Sequence, residues 1–276
     1  MITINALGTI WLIELFDPNH EQDLHDQINS IIADFDDNYS RFKPQSLLTK
    51  LARGEKIAKN PELVRMFDFA HSVYTETNGI FDIGVGEKLF ELGYGQTDIE
   101  SNPANWLDLL KSDDESYWLE SPKALDFGGF GKGWLVDKIA EFLKSKSITQ
   151  FYINAGGDIY CQSDKQIKFY LEHPWADDQA IGEVLIQNGA FCGSSINKRA
   201  WEVSDRSVNH IVGSNDRIAS FILSDTTTMA DTYATLALIL SPKNFAERAK
   251  KHNLEWIVID KDGAFTSNSK RFKLYK

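Results

Sequence analysis

The stretch DFGGFGKGWLVDKIAEFLKSKSITQFYINAGGDIY, Asp126–Tyr160, changes its hydrophobic period part-way, and that change decides how the chain is read. From Gly133 onward Leu135, Ile139, Phe142 and Leu143 recur at the spacing that lines one face of a helix. From Phe151 the apolar residues alternate, as in a half-buried strand, and two glycines then make a second turn at the strand end. The same alternation returns in QIKFYLEH, GEVLIQ and DRIASFILS, each bounded by turn residues, which suits an antiparallel sheet. Upstream, residues 2–15 read as a strand, and Leu24, Ile28, Ile31, Ile32 and Phe35 read as a helix followed by the polar loop DNYSRFKPQS. A further helix starts at Asn60, with Pro61 where a missing N–H costs nothing, and stops at Gly79. Two more cover about Thr228–Leu240 and Lys243–His252, and LEWIVIDKDGAFTS closes the chain as two strands about an Asp-Gly turn. Without repeats, a low-complexity linker or a break in composition, residues 1–276 read as a single α+β domain with helices packed on an antiparallel sheet.

Composition narrows the function. The chain is 42% hydrophobic and 12% aromatic, which is globular rather than disordered. Its 40 acidic against 29 basic residues give a formal charge of −11, a field that repels nucleic acid and anionic membranes. The opening MITINALGTIWLIEL carries no basic leader and is too short in its apolar run to span a bilayer, so a cytoplasmic location is expected unless a leader once preceded it. Cys161 and Cys192 stand apart without CxxC spacing, which argues against a disulfide framework or a zinc site.

Motifs carry the chemistry. In GGFGKG the P-loop pattern fails, because Asp126 stands where its first glycine belongs and Gly133 where a Ser or Thr should follow the lysine. The dinucleotide GxGxxG spacing fails too. What remains is a glycine turn entering a helix N-terminus, read either as a tight connection or as a site where main chain meets a small polar ligand. In TMADTYATLALIL, Asp231 and Thr235 lie four apart, so a carboxylate and a hydroxyl share one helix face. Such an oxygen pair suits magnesium. The alternative has Asp231 favouring the helix dipole and Thr235 bonding back to a carbonyl. Asp82 follows a helix stop in TNGIFDIGVG, and His210 sits beside an apolar pair in SVNHIVG, where its near-neutral pKa makes it a usable proton acceptor.

The order of LGTIWLIEL, YSRFKPQSLLTKL, TNGIFDIGVG, LDFGGFGKGWLVDKIAEFLKSKSI, FYINAGGDI, NHI and ADTYATLALIL resembles the ApbE family, the FAD:protein FMN transferases, over nearly the whole chain. The glycine-lysine block with the NAGGD turn is the most specific part. The resemblance implies a T-fold-like α+β fold and magnesium-dependent cleavage of FAD, with AMP released and FMN esterified to a Ser or Thr of an acceptor flavoprotein. It implies that Asp231, Thr235 and the carbonyl of Gly129 hold magnesium. By the same matching Leu7, Phe42, Ile80, Phe81, Asp82, Asp126, Lys132 and Val212 serve the FAD pocket, and His210 takes the proton of the attacking hydroxyl.

The departures from the family pattern are informative. Leu7 replaces a usual methionine and Phe42 a common tyrosine. Gly213, Ser214 and Asn215 follow His-Ile-Val where an acidic residue, proline and a Thr-Gly turn are usual, and Ala234 stands where some members carry a second carboxylate. Two alternatives therefore stay open: an FAD pyrophosphatase yielding FMN and AMP, and a flavin-binding module without catalysis.

Overall fold

The computed structural model describes residues 1–16, 21–94, 99, 102–176, 178–196, 200–203, 206–209, 211, 213 and 216–275. These fall into two compact units, one of Met1–Ala33, Gly128–Ala200 and Gly213–Lys276, the other of Asp34–Phe127 and Trp201–Val212.

The first unit begins with β1 (Ile2–Ala6) and β2 (Thr9–Leu15), paired antiparallel with Ala6 opposite Thr9. Leu7 and Gly8 between them both have positive φ, 51° and 71°, the two-residue turn whose twist matches that of its strands. The single strand expected over 2–15 is thus a hairpin, because these left-handed residues reverse the chain. Next comes α1 (Glu21–Tyr39), which buries Leu24, Ile28, Ile32 and Phe35 and whose end, from Asp34, is counted with the second unit.

The second unit holds α2 (Leu47–Ala52), β3 (Ile57–Ala58), α3 (Pro61–Glu76), α4 (Gly86–Glu91), α5 (Trp106–Leu109), β4 (Leu110–Ser112) and β5 (Ser116–Leu119). Asn60 caps α3 as expected, accepting the Leu63 N–H at 2.8 Å. The three short strands form their own sheet in the order β3-β5-β4. Its core is aromatic: Phe67 stacks on Trp106 with centroids 6.0 Å apart and meets Phe127 edge-on at 5.7 Å.

The chain then returns to the first unit with α6 (Gly131–Ser145), which starts two residues ahead of the expected Gly133. After it come β6 (Phe151–Ala155), β7 (Asp158–Glu172) and β8 (Ala180–Ser195). A two-stranded ribbon follows, β9 (Ala200–Val203) with β10 (Arg206–Asn209), which from Trp201 is counted with the second unit. The first unit then resumes with β11 (Arg217–Ser224), α7 (Thr227–Ile239), α8 (Pro242–Lys251), β12 (Glu255–Asp260), β13 (Phe265–Ser267) and β14 (Lys273–Leu274). The large sheet runs β1-β2-β6-β7-β8-β11-β12-β13 with β14 against β8, and every pairing in it is antiparallel. Ile159, Phe169, Val184, Phe221 and Ile257 belong to one apolar cluster. α7 packs on β8 and β11, and α6 packs on α7. Fully burying a large apolar side chain such as Ile153 or Phe151 stabilises by about 1.5–3 kcal/mol. Among the described residues no helix is long and apolar enough to cross a membrane.

Candidate functional site

In the first unit the glycine block and the carboxylate helix meet. α6 has Phe130 at its N-cap, a side chain with no oxygen to accept the orphan N–H groups of the first turn. Asp231 of α7 supplies one instead: the Gly133 N–H donates to its Oδ2 at 2.9 Å. The arrangement is reciprocal. Asp137 of α6 accepts the N–H groups of Thr227 and Thr228, at 2.7 and 2.8 Å, and the Thr228 hydroxyl at 2.6 Å. Burial pushes the Asp137 carboxyl above its ordinary pKa, against these hydrogen bonds, which pull it down.

Close approach makes this possible. A Cβ on Gly133 would sit 2.5 Å from the Thr227 carbonyl oxygen and 2.8 Å from the Asp231 Cβ. None of Gly128, Gly129, Gly131 and Gly133 is among the positive-φ glycines, so packing rather than a left-handed turn accounts for the last of them. Gly129 lies in the turn that opens α6, four residues before the donor to Asp231. Thr235 follows Asp231 by one turn of α7. A back-bond along α7 is made by Thr232, whose hydroxyl donates to Thr228 O at 2.7 Å.

Lys132 occupies the first turn of α6, where the helix dipole disfavours a cation. Asp158 offsets that by pairing with it, at only 2% exposure, from the start of β7. The NAGGD turn that delivers Asp158 is a hairpin end: the Gly157 N–H donates to Asn154 Oδ1 at 2.9 Å, and Gly156 has φ 67°. Cys192 is buried nearby, its thiol pushed well up by burial and by the charges of Asp158 and Asp231. Leu7 belongs to this unit too, half-buried in its left-handed turn.

The second unit gathers Phe42, Ile80, Phe81, Asp82 and Asp126. Arg41 links several of these. Its Nε donates to the Asp126 carboxylate, its Nη2 donates to Tyr94 O at 2.9 Å, and its guanidinium lies 4.3 Å from the Phe42 ring centroid. Asp126 is tied to the neighbouring loop by its N–H, which donates to Ile83 O at 2.7 Å. Phe81 is buried while Phe42 and Ile80 are exposed. Asp82 accepts the Gly84 N–H at 2.7 Å, and burial raises its carboxyl pKa despite that bond and the charge of Lys123. Lys123 and Glu87 form a buried ion pair at 3.6 Å, with Lys123 Nζ donating to Asn102 O at 2.6 Å.

His210 and Val212 lie outside the described residues. Sequence reasoning passed over Arg41 and Asp158. Arg41 sat inside the quoted YSRFKPQS, a cation beside an aromatic, and Asp158 closed the quoted NAGGD turn. As for a metal, Asp231, Thr235 and the Gly129 carbonyl are all hard oxygen donors, the set that magnesium accepts together with substrate phosphate. Among the described residues no group of three or more His, Cys, Asp or Glu side chains forms a metal cage.

The profile of the ApbE family matches residues 7–258. An FAD:protein FMN transferase of Haemophilus influenzae is 24% identical over 97% of this chain and 89% of its own length. That of Vibrio cholerae is 22% identical over 91% of the chain and 84% of its own. Among solved structures, the flavin transferase ApbE from Vibrio cholerae superposes with a TM-score of 0.81 at 19% identity, covering 96% of this chain and 95% of that one. The ApbE protein from Thermotoga maritima gives 0.84 at 18%, covering 96% of each. At such identities these two structures speak for the fold, α+β with helices on an antiparallel sheet.

Proposed function

The chain belongs to the ApbE family, and we propose that it transfers FMN from FAD to a Ser or Thr hydroxyl of an acceptor protein in a magnesium-dependent step that releases AMP. The observation that carries this reading is the Gly133–Asp231 hydrogen bond, which joins the two most chemistry-bearing motifs of the sequence. We read residues 1–276 as one transferase domain, since the family profile runs through both compact units.

In this reading the acceptor hydroxyl oxygen forms a bond to the FMN phosphorus, the pyrophosphate P–O bond breaks, and AMP leaves with the electron pair. His210 takes the hydroxyl proton, which a weak nucleophile needs at neutral pH. Asp231, Thr235 and the Gly129 carbonyl would hold magnesium, which when bound supplies charge stabilisation to the pyrophosphate. Lys132 adds a positive charge on the same unit, held by Asp158 until phosphate competes for it. Leu7, Phe42, Ile80, Phe81, Asp82, Asp126 and Val212 serve the FAD pocket. The two free cysteines, both buried, suit a cytoplasmic setting.

The test is incubation with FAD and magnesium, following AMP by chromatography and flavin on protein by gel fluorescence. Transfer predicts AMP together with a phosphate-linked flavin on an acceptor bearing Ser or Thr. Free FMN and AMP with every acceptor tried would establish the hydrolase, and FAD binding without any AMP release would establish the non-catalytic flavin-binding module, the alternative that the departure at Gly213–Asn215 supports best. Asp231→Asn should abolish the magnesium-dependent AMP release.

A further inference from the structure

Phe42 is 56% exposed, yet its ring is held in place. The guanidinium of Arg41 lies over it at 4.3 Å and over Tyr94 at 5.3 Å, and the two rings meet edge-on with centroids 5.9 Å apart. One cation thus fixes two aromatic side chains. It is itself fixed, by Asp126 through Nε and by the Tyr94 carbonyl through Nη2. The Arg41 and Asp126 side chains are only 8% and 10% exposed, so this pair is largely out of water. Removing one member of such a pair leaves the other charge uncompensated. A large ring that faces solvent, with a cation and a second ring against it, presents an open face on which a flat partner can stack.

We propose that Arg41 and Asp126 are positioning residues that hold Phe42 and Tyr94 as a rigid platform for a flat ring of FAD, with Asp126 acting through Arg41 and not on the dinucleotide. This rests on the FAD reading above and gives Asp126 its place within it. The pairing also answers an electrostatic difficulty. A bare carboxylate in the pocket repels the pyrophosphate of FAD, whereas one neutralised by a guanidinium does not. Lysine at position 41 would keep the charge but lose the planar fork that makes the contacts to Asp126, Tyr94 and Phe42 simultaneous.

The test is a double-mutant cycle on the full chain with Arg41→Gln, Asp126→Asn and the pair together. FAD affinity is read by flavin fluorescence, and hydrogen exchange over residues 41–43 and 94 is read without ligand. Each single variant should weaken FAD binding about tenfold, the scale of a desolvated cation–π contact, and the pair about tenfold again in total instead of about a hundredfold. KM for FAD should rise by that factor while kcat changes little, and Arg41→Lys should restore only part of the affinity. Exchange at 41–43 should quicken in Asp126→Asn before any ligand is added. Multiplied losses in the pair would mean that Asp126 meets FAD itself, and unchanged exchange would mean that it does not hold Arg41; either overturns the proposal. If Arg41→Gln does not fold, Arg41→Lys closes the same cycle. A wild type that binds FAD with the expected coupling but releases no AMP sinks the transferase reading and leaves the platform. One that transfers flavin while its Arg41 variants bind FAD as wild type sinks the platform alone.

Discussion

Gly133→Ala tests the joint on which the first unit depends. An added Cβ would lie 2.5 Å from the Thr227 carbonyl oxygen and 2.8 Å from both the Thr227 carbonyl carbon and the Asp231 Cβ. Two of these are backbone atoms, so no rotamer change relieves the overlap, and α6 and α7 must separate. Overpacking of this kind costs about 1–3 kcal/mol. The separation also stretches the Gly133 N–H bond to Asp231 Oδ2, now 2.9 Å, and a hydrogen bond to a charged group contributes about 1.5–3 kcal/mol. Against this, alanine in a helix is favoured over glycine by about 1 kcal/mol. The net expectation is a loss of roughly 1.5–5 kcal/mol. It would be read as a lowered urea midpoint at unchanged slope, with a higher magnesium requirement for AMP release. A variant that instead gains about 1 kcal/mol, as an exposed helical glycine would, and keeps its magnesium dependence would refute both the close approach and its link to Asp231.

Other perturbations separate the remaining parts. His210→Ala should leave FAD affinity within about tenfold while lowering flavin transfer by on the order of 10², the scale of a lost general base; transfer at the wild-type rate would place the base elsewhere. Asp137→Ala removes the acceptor for Thr227 and Thr228 at the start of α7 and should cost about 1–2 kcal/mol in a denaturation curve, with an unchanged midpoint counting against the cap. Lys168, Lys273 and Tyr275 hold the Glu183 carboxyl at about 2, below its ordinary 4.5. Because the folded value is the lower one, the stability it contributes is present above pH 4.5 and is lost as pH falls from there towards 2. Hydrogen exchange at Lys273–Tyr275 should therefore rise across that window in the wild type and already be raised at neutral pH in Glu183→Gln; identical profiles would show that β14 is held by its backbone alone.

The longer helices α1, α3, α6, α7 and α8 were legible because apolar residues recur in them over several turns, as Leu135, Ile139 and Leu143 do, or because caps such as Asn60 and Pro61 act locally. By contrast α2, α4 and α5, of six residues or fewer, were not; the Asp262-Gly263 turn was legible by its own local chemistry. What escaped was either too short or too long-range. The strands β3, β4 and β5 have two to four residues each, too few to show a period. The fifteen residues of β7 read as two pieces because the polar SDKQ coincides with a shift of register between Gln162 and Ile167. In β11 the run IASFIL is buried on both faces, so alternation was never its true pattern. At the site, the spacing of Asp231 and Thr235 could be read from one helix, but the partner of Asp231 lies 98 residues away. Arg41 looked like an ordinary loop cation because its partner Asp126 is 85 residues on, and Asp158 looked like turn chemistry because its partner Lys132 stands 26 residues earlier, in the first turn of α6.

The mutual capping of α6 and α7 bears on how the chemistry of Asp231 can be isolated. Its carboxylate does two things in this reading: it closes the first turn of α6, where Phe130 offers no cap, and it contributes the charge that a hard cation needs. Asparagine keeps an oxygen able to accept the Gly133 N–H but carries no charge, whereas alanine removes both. Comparing Asp231→Asn with Asp231→Ala therefore separates folding from metal binding. Both should lose magnesium-dependent activity, and only the alanine variant should also lose the stability of the joint. The N–H that caps on Asp231 also fixes its rotamer, and a ligand oriented in advance by a second hydrogen bond binds its metal more tightly than one that must be ordered on binding. The glycine at 133 is then part of the site although it touches no substrate: only a residue without a Cβ lets the N–H come within reach of the carboxylate.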